Sequence, residues 1–347
     1  MTAALKGFLR KAVITGGLEA SRMLGRVGAL PAARGRGAIF TLHHVRPFTP
    51  RRLDANGHLE ITPDFLDTAI RQLKADGYRF VPLEAVPGLL AGEPDDRPFA
   101  VFTLDDGYRD NAQYALPVFE RHGVPFTVFV TRGFSERSHT LWWETAEALL
   151  NATDRFTIET DGGDRTFEVS TLTAKRAVCD TICDGICGPQ ESRAIARLDA
   201  AARSVGVDPT AMVGQLVMPA DELASLSRHP LATLGAHSLS HRALDYLPDA
   251  EAMAELSGSA DYVEAITGKR PAAFAYPYGD RRSASDRIAA LAEKAGFALA
   301  VTTRAGTLDT HSLATPMLLP RISLNGYYQK PRYVSALASG IPFRLTR

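Results

Sequence analysis

Phe99-Ala100-Val101-Phe102-Thr103-Leu104-Asp105-Asp106-Gly107 is an almost unbroken apolar run that stops on two carboxylates and a glycine. A strand wetted on one face alternates apolar and polar residues. A continuous run belongs to a strand buried on both faces, as in a parallel sheet covered by helices. The same pattern recurs outward along the chain. Apolar runs lie at 38–43, 99–104, 125–131, 231–236, 272–276, 298–303 and 318–323. Between most of them are stretches with helical spacing, at 63–75, 111–122, 249–267 and 283–294. Thr62-Pro63-Asp64 is a helix cap followed by a first-turn proline. Gly77, Gly123, Gly268 and Gly296 stand just past helix ends, where a left-handed residue is wanted. The alternation makes this an α/β chain.

A length of 347 residues allows about two domains, or one large barrel with insertions. At 45% hydrophobic and 22% charged residues the chain can form an ordinary core, which excludes disordered, collagenous and disulfide-scaffold classes. Lys+Arg 39 balances Asp+Glu 39. A nucleic-acid binder needs an excess of positive charge, so no nucleic-acid partner is expected. No apolar run is long enough to span a membrane. Residues 1–36 form a basic arm expected to be helical, carrying Lys6, Arg10, Lys11, Arg22, Arg26, Arg34 and Arg36. Packing of this arm on the domain is its first reading, and peripheral contact with an anionic membrane its second. A weak export signal is the third. No clear signal peptide is found, so the expected location is the cytoplasm, with that membrane contact left open. Cys179, Cys183 and Cys187 lie four apart, as one packed helix face would have them. From about 134 to 218 the alternation lapses. This stretch, mainly helical with a hairpin around Asp161-Gly162-Gly163-Asp164, reads as an insertion. Its Trp142-Trp143 pair is read as a packing anchor before a sugar-stacking surface.

Polar residues gather where four apolar runs end. His43 and His44 follow Leu42, and Asp105 and Asp106 follow Leu104. His237 and His241 follow Ala236, and Tyr276-Pro277-Tyr278-Gly279 follows Ala275. In parallel α/β folds sites assemble at the carboxyl ends of strands. Two adjacent carboxylates repel, so without a cation one would have its pKa raised. Asp-Gly is also a common solvated turn. On a helix, His237 and His241 would lie about 40° apart around the axis and could grip one ion. Two nitrogens and one strand-end oxygen suit a catalytic zinc, and equally a ferrous oxygenase. The second carboxylate favours metal-assisted hydrolysis, which needs a base beside the water. The chain has no phosphate-binding loop, dinucleotide fingerprint or nucleophile elbow.

Thr103-Leu104-Asp105-Asp106-Gly107-Tyr108, His237-Ser238-Leu239-Ser240-His241 and Tyr276-Pro277-Tyr278-Gly279 resemble the first three motifs of polysaccharide deacetylases, the NodB-homology or carbohydrate esterase family 4 enzymes. The resemblance implies a deformed (β/α) barrel that removes N-acetyl groups from a poly- or oligosaccharide with a divalent metal, commonly Zn²⁺. The barrel would occupy 37–325, interrupted by the insertion 134–218, and 326–347 would be a C-terminal tail. By the same resemblance Asp105 is the general base, and Asp106, His237 and His241 are the metal ligands. The backbone N–H of Tyr278 helps hold the oxyanion. The remaining motif residues Tyr108, Tyr276 and Pro277 are expected at the substrate.

The chain departs from the family in two places. Ala275 stands where an arginine often steadies the base. Arg321 is a candidate substitute from another strand; an ordinary surface ion pair is the alternative. The family's late histidine has no convincing match, since His311 lies in an apparent loop. Leu42-His43-His44-Val45 resembles the Tyr-His-x-Val signature of relatives acting on bacterial exopolysaccharide. That makes His43 the candidate acid and His44 structural. A hydrolase of another amide, such as a cyclic ureide or imide, and a non-catalytic carbohydrate-binding relative remain the alternatives.

Overall fold

The apolar runs become strands that pair side by side. In the computed structural model, residues 3–28, 30–93 and 95–345 are described, with the side chains of 3–11 and 345 outside that description. Met1, Thr2 and Ala29 of the arm, and Thr346 and Arg347 of the tail, therefore lie outside the described residues. The strands are β1 (Gly37–Leu42), β2 (His44–Val45), β3 (Glu60–Ile61), β4 (Arg79–Phe80), β5 (Phe99–Leu104) and β6 (Phe126–Val130). They continue as β7 (Arg155–Thr160), β8 (Gly163–Glu168), β9 (Ala232–Ala236), β10 (Ala273–Ala275), β11 (Leu299–Val301) and β12 (Ile322–Ser323). The main sheet runs β11-β10-β9-β6-β5-β1-β12, with β4 added beside β5. Every pair in it is parallel. Leu319, just before β12, bridges back to Val301 of β11, so the two ends of the curled sheet meet. This is the deformed (β/α) barrel.

Strand parity divides the side chains. Ile39, Val101, Phe129, Ala273, Ala275, Leu299, Val301 and Leu319 fill the inside. Their neighbours Phe40, Leu42, Phe102, Leu104, Phe126, Val128 and Phe274 point outward into the helical layer. That layer is built from α1 (Ala3–Arg26), α2 (Pro63–Ala75), α3 (Val86–Ala91), α4 (Leu116–His122) and α5 (Arg132–Ser135). Further helices are α6 (Trp142–Ala152), α7 (Leu172–Ile186), α8 (Glu191–Ser204), α9 (Pro209–Leu216) and α10 (Ala220–Ser227). The last are α11 (Asp249–Thr267), α12 (Asp286–Lys294), α13 (Pro331–Ala338) and α14 (Ile341–Leu345). The caps expected of α2 form, with Thr62 Oγ1 accepting from Phe65 N at 3.1 Å and Pro63 in the first turn.

Some boundaries differ from the sequence expectation for local reasons. Helix α12 starts at Asp286, not at Ser283, because Ser285 Oγ caps it by accepting from Ile288 N. The run 318–323 yields only a two-residue strand, since Pro320 has no N–H for a ladder. Helix α7 carries Cys179 and Cys183 but ends before Cys187, whose backbone is already non-helical. Gly185 and Gly188 flank that end. The three thiols therefore do not share one helical face.

The segment from β6 to β9 holds α5–α10 and the β7–β8 hairpin. It has its own apolar core of Leu141, Leu149, Leu150, Phe156, Ile182 and Leu198. That core runs without a break into Leu53 and Tyr108 of the barrel loops. Helix α1 packs on α13 through Leu18, Tyr333 and Ala336, and Arg332 Nε donates to Glu19 Oε1 at 2.6 Å. The C-terminal stretch is thus a helical brace for the arm. Among the described residues no helix is long and apolar enough to cross a membrane.

Gly235 faces inward on β9, and a Cβ there would sit 2.5 Å from the Phe129 ring. Gly235→Ala is expected to destabilise the fold by about 1–3 kcal/mol through overpacking. Chemical denaturation would show this as a lower midpoint at unchanged slope. An unmoved midpoint would mean the barrel interior is not packed this way.

Candidate active site

Parity also sets the site. Inward positions on β5 are Val101 and Thr103, so Asp105, two residues on, points inward just beyond the strand. By the same count His43 follows Ile39 and Thr41, and His237 follows Thr233 and Gly235. Asp106 would point outward on an extended chain. It has φ +72°, and Gly107 has φ +69°, so the backbone turns over and Asp106 faces the same space. His241 (φ +60°), Ser238 (φ +64°) and Tyr278 (φ +61°) are left-handed too. Non-glycine residues in that region cost about 1–3 kcal/mol each and cluster at functional sites. His237 and His241 are not on a helix, as their spacing suggested. They flank a strand-end turn in which His241 N–H donates to Ser238 Oγ at 2.9 Å.

Asp106 Oδ1 lies 3.5 Å from His237 Nε2 and 3.4 Å from His241 Nε2. One ligand atom from each of the three residues lies within 4.8 Å of the others. Asp106 Oδ1 is buried without a hydrogen-bond partner. His237 Nδ1 donates to Ala275 O at 2.6 Å, which turns its Nε2 toward Asp106. His241 is pulled down to about 3, first by burial, so its ring is neutral and its lone pair free. Three convergent donors around an orphaned carboxylate oxygen fit a divalent cation with open positions. The His241 ring is walled by Trp143, Tyr278 and Phe134 at centroid distances of 5.0, 5.1 and 5.4 Å.

Asp105 is held differently. Arg321, 1% exposed, places Nη1 2.8 Å from Oδ1 and Nη2 2.6 Å from Oδ2, a bidentate clamp. Its Nε donates to Thr302 O at 2.9 Å and its Nη1 also to Thr103 Oγ1 at 3.0 Å. Arg321 is therefore no surface ion pair. Burial would raise the Asp105 pKa, but Arg321 outweighs it and the carboxyl stays below its ordinary range. Asp106 also stays low against burial, because the His237 ring, and after it the His241 ring, faces its carboxylate. Neither carboxylate is raised, contrary to the simple repulsion argument, because Arg321 neutralises Asp105 and two imidazole rings face Asp106. His43 is half-buried beside them. Burial lowers its pKa, while Asp105 and Asp106 work the other way. Asn111 Nδ2 fixes the His43 carbonyl at 2.8 Å.

Other expectations are corrected. Tyr276 points outward by parity, is fully buried, and donates from its hydroxyl to Met317 O at 2.9 Å. Tyr108 is fully buried against His44, and its hydroxyl accepts from Trp143 Nε1 at 3.0 Å. Pro277 is buried as well. The side chains of Tyr276 and Tyr108 are thus taken up by packing and hydrogen bonds that frame the site, while Pro277 keeps the inward phase of Ala275. Tyr278 is half-buried at the site, and its N–H takes part in no backbone hydrogen bond among the described residues. Trp142 and Trp143 are both buried, as packing anchors would be.

Several residues had no sequence signal. Glu255 of α11 accepts from Leu239 N, Ser240 N and Ser240 Oγ at 2.5–2.9 Å, tying down the histidine turn. Glu144 lies 3.6 Å from His44 Nε2, while Asp110 lies 2.5 Å from His44 Nδ1. Both glutamates start as ordinary polar positions on helices. Asp110, four residues past Asp106, could have been flagged by its place beside the Asp-Asp-Gly turn.

Residues 92–161 and 203–300 match the sequence model of the family described as polysaccharide deacetylase. This part of the chain is a polysaccharide deacetylase domain. It places the protein among hydrolases acting on carbon–nitrogen bonds other than peptide bonds. Asp105, Asp106, His237, His241 and Tyr278 fall within the matched residues; His43 and Arg321 fall outside them. No curated protein sequence matches the chain. Among solved structures, the Streptococcus pyogenes deacetylase PplD in complex with acetate is 17% identical, covering 84% of this chain and 92% of its own, at TM-score 0.56. IcaB from Ammonifex degensii is 16% identical over 89% of this chain and 98% of its own, at TM-score 0.54. BC0361, a polysaccharide deacetylase from Bacillus cereus, is 14% identical over 87% of this chain and 68% of its own, at TM-score 0.53. At such identities the likeness is one of fold.

His44 lends itself to a pH test. Burial pulls its pKa down, but Asp110 and Glu144 outweigh this and push it up to about 9. A histidine with a raised folded-state pKa adds stability below its unfolded value, near 6.5, and loses it as pH rises through about 9. The thermal-midpoint gap between wild type and His44→Gln should be widest near pH 6 and shrink by pH 9.5. A gap independent of pH would show that His44 is not charged between the two acids.

Proposed function

We propose that the protein is a divalent-metal-dependent deacetylase that removes N-acetyl groups from an N-acetylated glycan. The observation that carries this is the juxtaposition of an arginine-clamped Asp105 with the Asp106, His237 and His241 donors, inside a polysaccharide deacetylase domain. Asp106, His237 and His241 would hold the ion, most simply Zn²⁺, whose own chemistry would be to polarise the amide carbonyl and acidify water. Asp105 takes the proton of the attacking water on a carboxylate oxygen. Arg321 keeps that carboxylate ionised and fixed in plane. The Tyr278 N–H donates to the developing oxyanion. His43 gives a ring proton to the departing amine. Its depressed pKa makes the protonated ring a stronger acid toward that nitrogen.

Metal-loaded protein should release acetate from at least one of three substrates: N-acetylglucosamine oligomers, an N-acetylated exopolysaccharide or peptidoglycan fragments. Chelation should stop it and Zn²⁺ restore it. Acetate from none of these, with metal bound, would overturn the substrate assignment. Asp105→Asn should keep its metal, measured by elemental analysis, while turnover falls by about 10²–10⁴. Metal loss in that variant would instead exchange the roles of the two aspartates. His43→Ala should bind metal normally and turn over about 10²-fold or more slowly. An unaltered rate would remove His43 as the acid.

A further inference from the structure

The geometry points to Glu191, from the segment between β6 and β9, as a positioning residue that sets two site loops at once. Glu191 is 1% exposed at the first position of α8. Its Oε1 accepts from the Tyr278 hydroxyl at 2.5 Å, and its Oε2 accepts from Ala243 N at 2.9 Å. Ala243 lies two residues past His241. One carboxylate thus ties the loop carrying the oxyanion donor to the loop carrying a metal-binding histidine. Both loops need it. Tyr278 and His241 are each left-handed, a conformation that persists only where surrounding contacts over-determine it. Thr303 Oγ1 holds the Tyr278 carbonyl at 2.6 Å, and Trp142 Nε1 donates to its hydroxyl at 2.8 Å. With Glu191 the side chain of Tyr278 is fixed from two directions. The histidine turn is likewise held at one end by Glu255 and at the other by Glu191.

A glutamate that only satisfied buried donors would affect stability and nothing else. One that sets the loops also alters the geometry around a bound ion and the rate of the chemical step. This inference rests on the deacetylase reading for its kinetic arm and not for its metal arm. The metal arm uses cobalt-loaded protein, whose visible absorption reports the arrangement of ligands. Glu191→Ala should change that spectrum and weaken cobalt binding by about 10–100-fold, the range seen for outer-shell partners. In the kinetic arm it should lower kcat with KM unchanged. Glu191→Gln keeps the shape and one acceptor, so it should recover part of both effects. Tyr278→Phe should lower kcat, and adding it to Glu191→Ala should cost little more, since both remove the same link. A wild-type cobalt spectrum and affinity in Glu191→Ala would overturn the proposal. If that variant does not fold, wild-type spectrum and affinity in both Glu191→Gln and Tyr278→Phe would overturn it instead. Absence of acetate release by the wild type would count against the deacetylase reading alone, because the cobalt arm is decided without turnover.

Discussion

A guanidinium buried inside the barrel holds both oxygens of Asp105, and much of the site depends on it. Taking either charge out of water alone would cost several kcal/mol, and breaking such a buried pair typically costs about 3–5 kcal/mol. Arg321 limits that cost by spending its remaining donors on Thr302 O and Thr103 Oγ1. It thereby links the residue before β12 to the ends of β5 and β11, near the place where Leu319 closes the sheet on Val301. It also allows Asp105 and Asp106 to sit side by side in ionised form. Without a cation on one of them, mutual repulsion in a buried place would protonate the other. The clamp therefore leaves Asp106 ionised beside two imidazole rings, with Oδ1 free of any hydrogen bond.

Strain is the second constraint. Parallel strands deliver alternate side chains inward, so an unmodified strand end can offer only every second residue. The chain obtains more by turning the backbone into the left-handed region at Asp106, Ser238, His241 and Tyr278. Each such residue is unfavourable by itself. Those of the histidine turn and Tyr278 are held by contacts from elsewhere: Glu255 on the histidine turn, Thr303 on Tyr278, and Glu191 on both loops. These clamps come from helices and loops distant in sequence, and the strained residues stand where the donors must converge.

Much of this was legible because strand burial and strand-end chemistry are local. The apolar run at 99–104 and its carboxylates sit in one nonapeptide. Other parts were not legible, for identifiable reasons. The spacing of His237 and His241 fits a helix as well as a turn, and only the backbone at Ser238 distinguishes them. Tyr276 looked like a site residue, yet it is out of phase with Ala275 and Pro277 and so faces the helices. Arg321 is a candidate from the sequence, but it lies 216 residues from its partner, and no spacing rule can choose between the clamp and a surface ion pair. Glu144 and Glu191 look like solvent-facing helix residues. Nothing in their neighbours says that one meets His44 and the other meets Tyr278.

Those two glutamates bear on what the segment between β6 and β9 does. The family match skips 162–202, which includes Glu191, so the common domain does not define this part. An added lobe joined by its ends alone would leave the site's polar groups to satisfy themselves. Here the indole N–H groups of Trp142 and Trp143 go to the hydroxyls of Tyr278 and Tyr108, and the two glutamates go to Tyr278 and His44. The apolar core of the segment continues into Tyr108 and Leu53. The segment cannot loosen without leaving the buried hydroxyls of Tyr108 and Tyr278 without these partners, at a cost of about 1–3 kcal/mol for each group. Ordering of the segment and ordering of the site are therefore one event. The barrel supplies the reacting groups, and the segment supplies the wall and the clamps that hold them in place.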